Sequence, residues 1–277
     1  MTPESFVPGL PTPIAAGVQR VVAPNASAMT GPGTNSFVLG DPAIAVLDPG
    51  PDDDAHLQAL LRIAPRLQFI FVTHTHRDHS PLAMRLAHAS GATLVGMPPP
   101  ADGLQDQSFA PQIVPRRDQT FALGALRLRV IDTPGHASNH VCYLLDGQGL
   151  LFSGDHILDG VTPVILAPDG DMSAYLDSLR RLKSYELQSI APGHGRVLLQ
   201  PQTVIDGIVA HRLRREQKVI DALGSLASGT LEQLLPIVYS DVRPELHRWA
   251  RLSLEAHLIK LAREQRARCS GDRWHLP

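Results

Sequence analysis

The 277-residue sequence holds only two cysteines, Cys142 and Cys269, far apart in the chain. Two thiols make no disulfide framework, which suits a reducing compartment; Cys142 lies in an apolar, strand-like run and reads as a core residue. No stretch approaches the ~18 consecutive apolar residues that a membrane-spanning helix needs. The first residues, Met-Thr-Pro-Glu-Ser-Phe, lack the basic start and apolar run of a secretory leader. A cytoplasmic protein without membrane partners is the expectation. There is little net charge either, −2 overall, so nothing global demands nucleic acid or a lipid surface. The charge is uneven, however: residues 1–211 carry 13 Lys+Arg against 19 Asp+Glu, a balance of −6, whereas residues 212–277 carry 12 against 8, a balance of +4.

What is present is a globular composition, 43% hydrophobic and 19% charged, with no low-complexity tract and enough apolar residues for a sizeable core. The organising stretch is 71–79, Phe-Val-Thr-His-Thr-His-Arg-Asp-His, where His74-x-His76-x-Asp78-His79 follows the apolar run Leu67–Val72. The run suits a buried strand, and Ser80–Ala89 suits a helix. Along an extended loop residues two apart point the same way, so His74 and His76 can reach one metal ion. Asp78 and His79, at the loop-to-helix transition, can reach a second. Imidazole and carboxylate donors are what zinc or a related transition metal accepts.

Other strand ends repeat the format of strand, small-residue turn and metal-competent side chain. Strands over Ser36–Leu39 and Ala43–Leu47 form a hairpin ending at Asp48, which can be an acceptor that fixes a neighbouring loop. Asp52-Asp53-Asp54 caps a helix over Ala55–Ile63. The clean alternation of Ala125–Asp132 predicts a half-buried strand ending at Thr133-Pro-Gly-His136. Strands at Val141–Leu145 and Leu150–Phe152 lead to Asp155-His156, and Ser189–Pro192 leads to His194. Residues 97–118, with five prolines, read as a loop. Beyond an amphipathic helix at Asp171–Glu186 and a long helix at Thr203–Leu223 come helices at Leu231–Tyr239 and Glu245–Gln265, then a short hairpin. That outline, helix, helix and hairpin, is a small winged-helix module. The expected domains are residues 1–200 and 201–277.

These motifs resemble the metallo-β-lactamase superfamily over residues 31–195: Asp48, His74-x-His76-x-Asp78-His79, His136, Asp155 and His194, in the family's order. The resemblance implies an α/β fold, a four-layer αββα sandwich, with the C-terminal winged-helix-like module appended. It implies that His74, His76 and His136 ligate one ion, that Asp78, His79 and His194 ligate a second, and that Asp155 bridges them; Asp78 and Asp155 are the expected catalytic carboxylates. Two zinc ions are the default, with iron or manganese sharing the same ligands. His211-Arg212, Arg215-Glu216-Gln217, Tyr239, Pro244, Leu246-His247, His257-Leu258 and Lys260-Leu261, together with Thr30-Gly-Pro-Gly-Thr-Asn35, resemble the branch that includes a mitochondrial single-strand endoribonuclease. Ser80-Pro81 departs from the Ser-Gly-Gly of many relatives.

The implied chemistry is attack by a hydroxide shared between two dications on a carbonyl carbon or a phosphorus. The leading expectation is hydrolysis of a phosphodiester such as single-stranded RNA. The alternatives are a thioesterase resembling glyoxalase II and a hydrolase of small-molecule esters or lactones. His140 and His156 are expected to bond a ligand or the substrate from behind, and His211 to reach the mouth of the pocket; His56 is given no role in the site. A homodimer is an expected assembly.

Overall fold

The computed structural model describes residues 6–101, 103 and 105–277; the first five residues, on which the absence of a leader was judged, and residues 102 and 104 of the proline-rich loop lie outside the described residues. The chain clusters into two compact units that follow no single cut in the sequence. The first comprises residues 1–133, 139–161 and 185–201, the second residues 134–138, 162–184 and 202–277.

The first unit is a sandwich of two six-stranded sheets. One sheet runs β1 (Pro11–Ala15), β2 (Val18–Val22), β3 (Asn35–Gly40), β4 (Ala43–Leu47), β5 (Phe69–Phe71), β6 (Thr93–Val95) in that order. Its first four strands form an antiparallel meander, whereas β4, β5 and β6 are parallel neighbours. Parallel neighbours need crossovers, which α1 (Asp54–Ile63) and α2 (Leu82–Ser90) supply. Asp53 caps α1 as expected, its carboxylate accepting from the His56 N–H at 2.8 Å. The other sheet holds β7 (Thr120–Leu123), β8 (Leu126–Asp132), β9 (Val141–Leu145), β10 (Leu150–Gly154), β11 (Ser189–Pro192) and β12 (Leu198–Leu199). Strands β1 and β7 are absent from the sequence reading: two prolines obscure the first and only four residues make up the second.

Alternation decides which side chains enter the core. On β8, Leu128 and Val130 are buried while Arg127 stays exposed, as the period of two requires. The inward faces of both sheets merge into one apolar layer: Phe37, Leu39, Leu47 and Phe71 from one side meet Phe121, Val130, Tyr143 and Phe152 from the other. The Phe37 and Phe152 rings lie 4.9 Å apart across the sandwich. On the outer face of the first sheet Leu57, Leu60, Leu82 and Leu86 of the two helices cover Val46, Ile70, Val72 and Leu94. Because β4, β5 and β6 are parallel, their carboxyl ends lie together, so the loops beginning at Asp48 and Thr73 emerge side by side.

The second unit holds α3 (Met172–Leu182), α4 (Pro201–Leu226), α5 (Leu231–Val238), a 3-10 turn at Pro244–Leu246, α6 (His247–Arg263) and the hairpin β13 (Arg268–Ser270) and β14 (Arg273–His275). Its core is Val219, Leu223, Leu234, Val238, Leu254, Leu258 and Leu261. Thr230 and Gln233 close a reciprocal capping box at the start of α5. Three charges buried here are paired: Glu216 meets Lys260 at 2.8 Å and Arg266 at 3.0 Å, and Arg215 meets Asp241 at 2.7 Å. Among the described residues no helix is long and apolar enough to cross a membrane.

Candidate metal centre

Asp48 follows β4 in a left-handed backbone, φ 50°, and is fully buried. Its carboxylate accepts three hydrogen bonds: from the Thr73 N–H at 2.7 Å, the Thr73 hydroxyl at 2.8 Å and the His79 Nδ1 at 3.0 Å. These bonds assign protons. The Thr73 hydroxyl spends its hydrogen on Asp48, so its lone pair takes the Nδ1–H of His74 at 3.0 Å. Both His74 and His79 are thereby held with Nε2 turned away from the anchor. The expectation that Asp48 fixes a neighbouring loop describes this contact.

His74 Nε2 faces His76 Nδ1 at 3.0 Å, the two rings meeting edge to face. The second group brings four residues together. His79 Nε2 lies 3.5 Å from Asp78 Oδ2 and 3.3 Å from Asp155 Oδ1, and His194 Nε2 lies 3.1 Å and 3.3 Å from the same two oxygens. Four donor atoms thus converge from the hexad, the end of β10 and the end of β11. Glycine makes the convergence possible at two points. A Cβ on Gly193 would stand 2.5 Å from Asp155 Oδ1, and one on Gly154 would stand 2.5 Å from the Thr73 hydroxyl oxygen.

The set fits transition-metal dications. His79 and His194 each commit Nδ1 to an acceptor, Asp48 and the Gly33 carbonyl respectively, which leaves Nε2 as the ligating atom. Imidazole nitrogen with carboxylate oxygen is the donor chemistry of zinc, iron and manganese sites. Without an ion, protons take its place. Burial opposes charge on His194, but the neighbouring Asp155 charge and the hydrogen bonds to Asp155 and Asp78 outweigh it and raise the imidazole to about 9. Burial likewise opposes charge on His79, and the carboxylates of Asp78, Asp155 and Asp48 overcome it. Asp155 would be raised by its own burial, yet the His194 and His79 charges hold it well below the usual carboxylate range.

A group whose folded pKa is raised, from 6.5 to about 9 for His194, contributes stability that is full below 6.5 and lost as pH rises through 9. Metal-stripped protein is therefore expected to melt at progressively lower temperature between pH 6.5 and 9, while metal uptake over that range releases protons; melting curves and titration calorimetry in buffers of different ionisation enthalpy read the two effects. Asp48→Asn preserves shape and a residue type that tolerates the left-handed backbone, but replaces one acceptor oxygen with a donor. Metal affinity should fall about 10–100-fold, as for other groups that orient a ligand from behind, in a competition titration against a chromophoric chelator.

The remaining expected residues occupy varied places. His140 is buried, with Nδ1 2.9 Å from the Thr133 hydroxyl and its ring 4.9 Å from that of His74. His156 is buried with its ring 5.6 Å from His140. His136 belongs to the second unit, where its Nδ1 meets the Val164 carbonyl at 2.8 Å. His211 sits half-buried on α4, also in the second unit. Sequence reasoning missed Thr73, Ser36 and His56. The Ser36 hydroxyl donates to the Asp48 carbonyl at 2.6 Å and lies 2.9 Å from His56 Nε2. Burial lowers His56 to about 4, so the ring is neutral and donates to Ser36. Only the clustering of Ser36 and Asp48 at adjacent ends of one hairpin hinted at this layer.

The Metallo-beta-lactamase superfamily model matches residues 29–194, and the Beta-lactamase associated winged helix domain model matches residues 230–274. The chain is 30% identical over 94% of its length to a Drosophila melanogaster protein named Beta-lactamase-like protein 2 homolog, covering 92% of that protein. It is 28% identical over 95% of its length to the atrochrysone carboxyl ACP thioesterase AgnL7 of Paecilomyces divaricatus, covering 84% of it. A crystal structure of a beta-lactamase domain protein from Burkholderia ambifaria superposes with a TM-score of 0.81 at 20% identity, covering 98% of this chain and 95% of that one. With a family model spanning more than half of its residues around the His and Asp cluster, this chain belongs to the metallo-beta-lactamase superfamily.

Proposed function

We propose that this superfamily hydrolase holds two metal ions and cleaves an acyl thioester. His74 and His76, with His136 as the third nitrogen, are the proposed ligands of one ion; Asp78, His79 and His194 are those of the other, with Asp155 shared. Ions so held, when bound, supply Lewis-acid activation of water and stabilise negative charge forming on oxygen. The chain's own residues set the geometry. Asp48 and Thr73 orient His74, Asp48 orients His79, and the Gly33 carbonyl orients His194.

The observation that carries the choice of substrate is charge. All of the proposed ligands and their anchors lie in residues 1–211, where 13 Lys+Arg face 19 Asp+Glu. A polynucleotide is bound chiefly by Lys and Arg that neutralise phosphates; a neutral carbonyl makes no such demand. The likeness over nearly the full chain to a protein named as an acyl-carrier-protein thioesterase supports the same reading. Hydrolysis of single-stranded RNA, first in the sequence reading, is the second reading, favoured by the 12 Lys+Arg against 8 Asp+Glu of residues 212–277.

Metal-replete protein incubated in parallel with acyl-pantetheine thioesters and with labelled single-stranded RNA tests the choice. Thioester turnover without RNA cleavage is the expected result. RNA cleavage that disappears in Asp78→Ala, without thioester turnover, would overturn it.

A further inference from the structure

The loop that carries His194 is bonded on both sides of that histidine by a side chain 159 positions upstream. Asn35, the first residue of β3, is 1% exposed. Its backbone N–H donates to the Gly193 carbonyl at 2.8 Å, and its Nδ2 donates to the Pro192 carbonyl at 2.9 Å and the Gly195 carbonyl at 3.0 Å. The bonds straddle His194 on both sides. We infer that Asn35 is a positioning residue for the second metal, clasping the 192–195 loop so that His194 Nε2 stays beside Asp78 and Asp155. This rests on the two-metal reading proposed above.

Three features favour a positioning role over ordinary packing. Both Nδ2 partners are carbonyls, so the orientation of the amide is set by its contacts. Its Oδ1 is left buried with no hydrogen-bond partner among the described residues, a cost that an apolar side chain of similar size would avoid. What asparagine alone offers here is two N–H donors diverging from one planar group. The loop also lies directly against the site, since Gly193 is pressed against Asp155 and His79. Loss of the clasp therefore moves the imidazole relative to the two carboxylates instead of being absorbed by the loop.

The test is zinc binding by the full chain, measured by metal analysis after equilibrium dialysis and by competition with a chromophoric chelator, with cobalt(II) spectra to report ligand geometry. Wild type is expected to hold two ions. Asn35→Ala should bind one of them about 10–100-fold more weakly and the other unchanged, as removal of a group supporting a ligand does, with an altered cobalt spectrum. Asn25→Ala removes bonds of 2.9 and 2.8 Å to Thr34 in the same N-terminal loop without touching the clasp, and should keep both ions. Equal weakening in Asn25→Ala, or wild-type affinities in Asn35→Ala, would overturn the inference. Should Asn35→Ala fail to fold, Asn35→Gln keeps the amide but displaces it by one methylene; the same selective loss is expected, and two tightly held ions would refute the role. A wild-type chain that holds fewer than two ions would bring down the two-metal reading and this inference with it, an outcome distinct from failure of the variant alone.

Discussion

Asp155→Ala is expected to lower kcat by at least about a thousandfold. Its Oδ1 stands 3.3 Å from both His79 Nε2 and His194 Nε2, so with Asp78 it is one of two carboxylates that face both imidazoles of the second group. Removing it takes away a proposed ligand of both ions. Metal assistance supplies several kcal/mol of charge stabilisation, and each ~1.4 kcal/mol is a factor of ten in rate. The variant also leaves His79 and His194 with Asp78 as the one carboxylate facing both Nε2 atoms, so less metal should be retained. Steady-state hydrolysis and metal content, measured on the same preparation, check both effects. A variant that kept more than about a tenth of wild-type turnover would rule out the shared carboxylate as part of the reaction.

The second large effect is on stability. Phe71 is fully buried, its ring centroid 5.1 Å from Phe121, 5.3 Å from Tyr143 and 5.9 Å from Phe69. Phe71→Ala empties the centre of the layer between the two sheets, where close packing leaves little room for collapse. The expected cost is about 3–5 kcal/mol. At ~2–4 °C per kcal/mol for a domain of this size, the melting temperature should fall by roughly 6–20 °C. Thermal and denaturant melts provide the check. Metal retention should fall as well, because Phe71 lies two residues before Thr73, whose hydroxyl orients His74. A fall below about 1 kcal/mol would mean that the sandwich tolerates a void at its centre.

Much of the site was legible before the structure. The hexad His74 to His79 is dense enough to declare itself, and each remaining ligand candidate ends a strand in a glycine- or proline-bearing turn, a local pattern that spacing alone reveals. Asp53 as a helix cap was equally local. Elements at the edges were less clear: β1 carries prolines at Pro11 and Pro13, and β7 is too short for alternation to register. The winged-helix outline was legible because its two helices carry their own start signals, Thr230 and Pro244.

By itself the sequence determined the donor chemistry, the order of the candidate ligands and the class of reaction, because these depend on residue types and short spacings. Only the tertiary structure decided what holds the donors in place. Asn35 reaches carbonyls at Pro192 and Gly195, Ser36 and His56 secure the backbone of Asp48, and Asp48 in turn fixes His79. It also decided that the His136 turn packs with the second compact unit. Such contacts join residues from 12 to 160 positions apart. No local period encodes them, since they come into being when strands pair and bring distant hydrogen-bonding groups to the same sheet edge.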